Sequence, residues 1–277
     1  MNILCGINSN YLTPFKTLAY SLAESQTETI NLYLVSNNLT VEEKSSLEKY
    51  LGALQINVIF VQAPMSIKES LKASTIMKLA QKGLAIETYY RLFLLEYLPE
   101  TVDRILWLDA DTIVLQPLND FYYKDLTGFW FSAVPDPIEY IEAFYSYANF
   151  CKKRISLSSD KKYVNAGVIL FNLEELRKSQ EFQSQNLIQK IQEVNTPFFD
   201  QDLLNILGHN ADKILIDEDR TYNFPVYNFP DEWLGQHTVL HFLGNAKPWQ
   251  HNSDIPASQK FWYFRYYKMA QLFSKLI

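Results

Sequence analysis

The first 62 residues alternate three apolar strand patterns with two helical patterns, and this alternation limits the fold more than any other sequence feature. Strands are predicted in NILCGI, INLYLVS and INVIFVQ, and helices begin near Pro14, with Thr13 as the N-cap, and at a capped start at Thr40. Strands that alternate with helices form a parallel sheet, which binds ligands at the carboxyl ends of its strands. The chain is therefore predicted to be an α/β protein.

The remaining sequence extends this pattern. Strands are predicted in FWFSAV, YVNAGVILFNL and TVLHFL, one long helix in LEELRKSQEFQSQNLIQKIQEV, and a short helix in FDQDLLNIL. Residues 64–88 favour either a helix or a mobile lid. Because no Gly/Ser-rich or Pro-rich linker divides the chain, we expect one domain over residues 1–250 and a C-terminal aromatic helix over 251–277 that packs on it.

Composition excludes several classes of protein. The 277 residues are 48% hydrophobic and 20% charged, as in a globular protein with a sizeable core. No apolar run is long enough to span a membrane and the N-terminus lacks a signal pattern, so a cytoplasmic location is expected. Cys5 and Cys151 are predicted to be reduced and structural. The net charge of -6 gives no reason to expect nucleic acid, so any anionic ligand must be held locally, through a metal ion.

Two carboxylates lie one residue apart at the end of a buried strand in RILWLDADTIVLQPL, residues 104–118. The repulsion between Asp109 and Asp111 needs a partner, and a hard divalent cation with oxygen ligands would neutralise both. Haloacid-dehalogenase-type phosphatases also place D-x-D after a strand, but near the start of the chain and with threonine or valine two positions after the second aspartate. Here Thr112 follows Asp111 directly and three strands precede the pair, so that alternative is disfavoured.

Several motifs occur in one order: INSNY, YYRLFL, LWLDADTIVLQPL, YVNAGVILFNL, FDQDLLN and LHFLGNAKPW. From residue 2 to about 250 they closely resemble the retaining glycosyltransferases of family 8. The resemblance implies a GT-A nucleotide-diphospho-sugar transferase fold, with a Rossmann-like mixed sheet flanked by helices. It also implies a UDP-hexose as donor, Mn²⁺ (with Mg²⁺ as the alternative) as cofactor, and transfer with retention of anomeric configuration.

The resemblance implies a metal centre and a diphosphate site. Asp109, Asp111 and His241 would bind the metal, and Asp109 would also contact the ribose. Lys247 would contact the diphosphate, which the backbone at Gly244 can approach closely. Taken alone, His241 would be a core histidine and Lys247 a surface lysine.

The loop NSNY corresponds to the family's nucleoside site. Asn8, Asn10 and Tyr11 would bind the uracil and the ribose. Several relatives carry aspartate in place of Asn8, and an amide still offers both a donor and an acceptor to uracil. The alternative is a simple turn between strand and helix, where asparagine is common.

Four residues match family positions around the donor sugar: Arg91, Asn165, Asp200 and Gln201. Because the neutral amide of Gln201 is a poor nucleophile, a front-face mechanism is favoured, in which Gln201 stabilises developing positive charge and Asp200 holds sugar hydroxyls. Double displacement through Asp200 stays open. Asp136 either contacts the sugar or acceptor, or caps a helix before Pro137.

The predicted activity is transfer of glucose or galactose from a UDP-sugar to a hydroxyl of a glycan, glycoprotein or lipid-linked saccharide. Loops 64–88 and 137–163 are expected to select the acceptor, but no motif in them indicates which acceptor is bound. The C-terminal helix is expected to close the domain; the alternative is weak peripheral contact with the inner membrane face. The alternative hypothesis is a catalytically inactive module on the same fold that binds a nucleotide-sugar or a glycan. A sugar-phosphate nucleotidyltransferase is disfavoured because CGINSNY contains only one glycine.

Overall fold

The protein is an α/β structure with two sheets, seen in a computed structural model that describes residues 1–73, 86–193, 198–226, 235–244, 247–250 and 257–276. The large sheet has seven strands in the order β3-β2-β1-β4-β7-β6-β8, and the small sheet has three in the order β5-β10-β9. The strands are β1 Asn2–Gly6, β2 Ile30–Val35, β3 Ile56–Val61, β4 Arg104–Leu108, β5 Thr112–Val114, β6 Phe131–Pro135, β7 Val164–Asn172, β8 Ile214–Ile216, β9 Phe224–Pro225 and β10 Val239–His241.

The large sheet is mixed, as predicted. β3, β2, β1 and β4 are parallel, whereas β7 runs antiparallel to both β4 and β6. The chain moves outward from β1 to β3 and then returns to place β4 on the other side of β1. The strand order therefore reverses between β1 and β4, the position at which open α/β sheets bind ligands.

Nine α-helices are described, together with several short 3-10 turns. They are α1 Leu12–Ser25, α2 Val41–Ala53, α3 Met65–Ala73, α4 Asn119–Tyr122, α5 Tyr145–Arg154, α6 Leu173–Arg177, α7 Ser184–Glu193, α8 Phe199–Asn210 and α9 Ala257–Leu276. Part of the segment 64–88 is thus helical, and its residues 74–85 lie outside the described part of the chain.

The two predicted helix starts in the first half of the chain have different outcomes. The capped start at Thr40 is confirmed: Glu43 N donates to Thr40 Oγ1 at 3.1 Å, and Thr40 N donates to Glu43 Oε2 at 2.8 Å. The N-cap at Thr13 is wrong, because α1 already begins at Leu12. A 3-10 turn at Ser9–Tyr11 leads directly into the helix, so no free N-terminus remains at residue 13.

The predicted long helix after β7 is interrupted. It consists of α6 and α7, with a break around Ser179, whose hydroxyl accepts a hydrogen bond from Glu181 N at 3.1 Å. Such local side-chain bonds compete with the helical pattern. The segment is therefore helical, as its hydrophobic periodicity predicts, but it forms two helices and not one continuous helix.

Helix α9 packs against α1 through its aromatic side chains. Trp262 and Tyr263 are buried, and Phe273 meets Tyr20 of α1 edge-on with ring centroids 6.0 Å apart. The helix therefore packs against α1, whereas its role in closing the domain and the division of the chain at residue 250 stay predictions. Among the described residues, no helix is both long and apolar enough to cross a membrane.

Candidate active site

The small sheet brings together two segments that are far apart in sequence. β5 directly follows Asp111, and β10 ends with His241. The two strands pair antiparallel with His241 opposite Thr112, and Phe242 N donates to the Asp111 carbonyl at 3.0 Å. This pairing carries the histidine to the carboxyl end of β4, beside both aspartates.

The three predicted metal ligands lie close together. His241 Nε2 is 3.3 Å from Asp111 Oδ1 and 3.9 Å from Asp109 Oδ2, and one ligand atom of each residue lies within 4.8 Å of the others. Two carboxylate oxygens and one imidazole nitrogen suit a borderline divalent cation such as Mn²⁺. The donor set therefore fits the metal that the sequence led us to expect.

Two neighbouring side chains orient the Asp109 carboxylate. Its Oδ1 accepts from Trp107 Nε1 at 2.8 Å and pairs with an Arg91 terminal nitrogen at 2.9 Å. Arg91 stacks on the Trp107 ring with its guanidinium carbon 4.5 Å from the ring centroid. The orientation of this aspartate is thus set by side chains on its own strand and on the segment before β4.

Arg91 is a buried cation between two carboxylates. Its Nε lies 2.8 Å from Asp200 Oδ2, and the guanidinium also donates to the carbonyls of Thr88 and Ala166. Burial acts to lower the pKa of Arg91, but Asp109 and Asp200 outweigh it and raise that pKa. Arg91 was predicted to lie around the donor sugar; in the structure its donors serve the carboxylates and the backbone.

Asp200 lies at the start of α8 and is buried. Burial raises the pKa of its carboxyl to about 6, an effect that Arg91 opposes and Asp109 reinforces. The carboxyl is therefore ionised at neutral pH and tied to a guanidinium. A carboxylate held in this way is a weaker nucleophile than a free one.

Lys247 contacts Asp111 and the backbone. Its Nζ is 2.5 Å from Asp111 Oδ2 and donates to the Phe242 carbonyl at 2.6 Å. Burial acts to raise the pKa of Asp111, but the net shift is downward, and the Lys247 ammonium is the largest cause that lowers it. The lysine predicted to bind a diphosphate is thus located beside the metal ligands.

Asn165 and Asp136, both buried, and the half-buried Gln201 form a polar cluster beside the candidate metal ligands. Asp136 Oδ2 accepts from Asn165 Nδ2 at 2.8 Å and from Gln201 Nε2 at 3.0 Å, while Gln201 Oε1 accepts from Ala166 N at 2.9 Å. Asp136 also caps the turn that begins at Pro137, through a bond from Ile138 N at 3.1 Å, so the capping alternative is confirmed. Burial raises the pKa of Asp136.

The predicted nucleoside loop lies at the carboxyl end of β1. Asn8 caps the 3-10 turn by accepting from Asn10 N at 3.1 Å and also donates to Glu87 Oε2 at 3.3 Å. Burial raises the pKa of Tyr11, and the charges of Asp111 and Asp109 raise that pKa further. Gly244 has a φ of +86°, a conformation that glycine adopts without strain.

Three residues of the site were not predicted to have a function: Trp107, Gly167 and Asn223. Trp107 was read only as part of a buried strand. Asn223 donates from Nδ2 to Asn165 Oδ1 at 2.9 Å, and its Oδ1 is 2.9 Å from His241 Nδ1. A single asparagine in RTYNFP gives no local signal for such a role, because its partners are 58 and 18 residues away.

Comparison with known proteins identifies relatives over nearly the whole chain. The sequence model described as glycosyl transferase family 8 matches residues 2–253. General stress protein A of Bacillus subtilis is 22% identical over 96% of this chain and 93% of its own length. Lipopolysaccharide 1,3-galactosyltransferase of Salmonella typhimurium is 22% identical over 94% of this chain and 76% of its own length. Other relatives are longer, and the chain spans 55% of glycosyltransferase GlyB from Streptococcus pneumoniae.

Among solved structures, the galactosyltransferase LgtC in complex with donor and acceptor sugar analogues superposes with a TM-score of 0.77. The match covers 97% of this chain and 96% of that chain at 22% identity. This likeness, together with the mixed seven-stranded sheet, confirms the predicted GT-A fold.

Proposed function

Because the chain belongs to glycosyltransferase family 8, we propose that it is an Mn²⁺-dependent retaining enzyme that moves glucose or galactose from a UDP-sugar to a saccharide hydroxyl. The observation that carries this proposal is the convergence of Asp109, Asp111 and His241 at the carboxyl end of β4, with Lys247 beside them. With a divalent ion bound, this arrangement would hold an anionic donor locally, although the chain as a whole is acidic.

Donor binding would use Lys247 together with a divalent ion held by Asp109, Asp111 and His241. A bound divalent ion would neutralise the diphosphate and charge that develops on the leaving UDP. Lys247 is near enough to Asp111 to share a diphosphate with the metal site. Asn8, Asn10 and Tyr11 would hold the uracil and the ribose at the end of β1.

We favour a front-face reaction. The bond between the anomeric carbon and the UDP oxygen breaks, and its electron pair stays on the phosphate. That oxygen takes the proton of the acceptor hydroxyl, whose oxygen bonds to the anomeric carbon on the same face. Gln201 is held by Ala166 N and Asp136 and would stabilise the positive centre through the second lone pair of its carbonyl oxygen, and Asn165 would line the same cluster. The pairing of Asp200 with Arg91 disfavours a covalent intermediate on that carboxylate.

The acceptor is proposed to be a growing glycan, a glycoprotein or a lipid-linked saccharide. Relatives named as lipopolysaccharide galactosyltransferase and glucosyltransferase favour a bacterial surface saccharide. The acceptor loops predicted at 64–88 and 137–163 include α3 and α5. Their selectivity stays a prediction.

Weak peripheral membrane contact through α9 also stays a prediction. The helix exposes Phe261, Met269 and Leu272 on a face that also carries Arg265 and Lys268. Apolar and cationic side chains on one helix face suit an anionic lipid surface. We expect the protein to sediment with vesicles containing anionic lipid and to be released by salt; no binding at low salt would exclude the contact.

A thermal-shift panel tests the donor and the metal together. UDP, UDP-glucose, UDP-galactose, UDP-N-acetylglucosamine, GDP-mannose and CTP are each added with Mn²⁺ or with EDTA. A UDP-hexose at about 100 times its Kd should add about 2.7 kcal/mol to the free energy of unfolding, and only with Mn²⁺. Asp111→Asn should abolish the Mn²⁺-dependent part, because it removes a charged metal ligand.

Two further results separate the alternatives. Lys247→Met should weaken UDP binding more than Mn²⁺ binding, whereas Asp111→Asn should weaken both. A protein that binds a UDP-sugar but releases no UDP with any acceptor or with water would be the inactive binding module. If no nucleotide stabilises the chain in a metal-dependent way, the proposed donor site is wrong.

A further inference from the structure

We propose that Asn223 is a positioning residue that fixes the His241 imidazole in its Nδ1-protonated tautomer, so that the Nε2 lone pair faces Asp109 and Asp111. This inference rests on the proposed metal site and assigns a role to a residue outside the ligand set. Asn223 is 3% exposed and His241 is 3% exposed, so neither side chain exchanges its partners with bulk water.

The directions of the hydrogen bonds follow from one backbone group. Gly167 N can only donate, and it lies 2.8 Å from Asn165 Oδ1. The Asn165 side-chain oxygen therefore points to Gly167, and its Nδ2 donates to Asp136 Oδ2. This fixes the orientation of the Asn165 amide without reference to His241.

The same oxygen sets the orientation of the next amide. Asn165 Oδ1 also receives a bond of 2.9 Å from Asn223, which must present its Nδ2 there. Asn223 Oδ1 then faces His241 Nδ1 at 2.9 Å and can only accept. His241 Nδ1 is consequently the protonated nitrogen, and Nε2 carries the lone pair of the neutral ring.

This orientation is what a metal ligand requires. A histidine that binds a metal through one nitrogen usually donates its other N–H to a protein oxygen, which fixes both tautomer and ring direction. Here Nε2 lies 3.3 Å from Asp111 Oδ1, and a cation placed among the three groups would meet three acceptors. The opposite tautomer would direct an N–H at the site and exclude the metal.

The fold holds Asn223 close to its partner. Asn223 ends the 3-10 turn Arg220–Asn223, which Asp219 caps by accepting from Thr221 N at 3.0 Å. β9 begins at the next residue and pairs with β10, the strand of His241. The backbone and the side chain of His241 are therefore positioned by the same segment.

The first experiment measures the tautomer directly in the metal-free protein. Long-range ¹⁵N–¹H NMR spectra in EDTA and mildly alkaline buffer distinguish protonated from unprotonated imidazole nitrogens, and the chain has only four histidines. His241→Gln identifies the signal. We expect Nδ1–H in the unaltered chain; an Nε2–H form would overturn the proposal, whatever the outcome of the donor panel.

The second experiment measures Mn²⁺ affinity without nucleotide, by electron paramagnetic resonance of the free ion. Asn223→Leu should raise the Kd for Mn²⁺ about 10- to 100-fold. Asn223→Asp keeps an acceptor oxygen for Nδ1–H but loses the donor to Asn165 Oδ1, so it should restore part of the loss. Asn172→Leu is the control, because Asn172 makes side-chain hydrogen bonds at the far end of β7.

The outcomes separate this inference from the proposed function. If folded Asn223→Leu binds Mn²⁺ as tightly as the unaltered chain, Asn223 does not position the ligand. If the unaltered chain binds no Mn²⁺ at all, the proposed metal dependence fails, and the NMR measurement still decides the tautomer.

Discussion

Arg91→Met is expected to lower the free energy of unfolding by about 3 to 5 kcal/mol, the cost of removing one partner from a buried ion pair. The substitution keeps much of the side-chain volume, so the loss comes from charge. Asp109 and Asp200 would both lose their counter-charge, and the carbonyls of Thr88 and Ala166 would lose a donor. Urea denaturation of both proteins in EDTA measures the difference.

Added Mn²⁺ should distinguish this loss of stability from the loss that any substitution in the core would cause. Mn²⁺ at the proposed site would replace part of the positive charge that Asp109 loses, so it should stabilise Arg91→Met more than the unaltered chain. Lys152→Met is the matched control, because Lys152 and Glu139 form a buried ion pair 2.9 Å apart away from the metal ligands. Equal rescue of both variants, or a loss below about 1 kcal/mol for Arg91→Met, would contradict the assignment.

The burial of Asp200 predicts the direction in which the free energy of unfolding changes with pH. The pKa of Asp200 in the folded chain is about 6, above its ordinary value, so the folded state binds this proton more tightly than the unfolded state. Protonation therefore favours folding as the pH falls toward that value. Without Arg91 the pKa should rise further, because Arg91 is the group that lowers it. The stability deficit of Arg91→Met should accordingly shrink on mild acidification.

The elements that sequence predicted correctly are those whose signals are local. The burial pattern of RILWL and the capping pair Thr40 and Glu43 each lie within a few residues, and both are present in the structure. The errors are also local: the cap at Thr13 and the unbroken helix after β7 failed where other short-range hydrogen bonds competed. Periodicity reports the buried face of a helix better than it reports the ends.

The candidate site depends on contacts that no local pattern contains. Asp109 and His241 are brought together by the pairing of β5 with β10, whose partners are more than 120 residues apart. The motif resemblance supplied the candidate ligands and Arg91, but not the contacts of Arg91, which come from its own 3-10 turn and from three other segments of the chain. Asn223 was missed for the same reason.

The largest effect on metal binding is expected from Gly167→Ala, a change of one methyl group. A Cβ at this position would lie 2.1 Å from His241 Cε1 and 2.6 Å from its Nδ1, well inside van der Waals contact. The ring must move, although Asn223 and the pairing of β10 hold it in place. Mn²⁺ affinity should fall at least about 100-fold, with a stability loss of about 1 to 3 kcal/mol.

Gly52→Ala is the control for this change, because a Cβ on Gly52 meets nothing within 4 Å and the residue lies in α2. It should leave Mn²⁺ binding unchanged and add about 0.5 kcal/mol of stability.

The backbone of Gly167 contacts both the candidate metal ligands and the polar cluster. Its carbonyl accepts from Asp109 N at 2.8 Å, and its N–H orients Asn165. If Gly167→Ala binds Mn²⁺ normally, the imidazole is free to shift and its position is not fixed by β7. If binding is lost while the fold persists, the glycine of the NAG motif is required because the histidine ring occupies the space of a side chain.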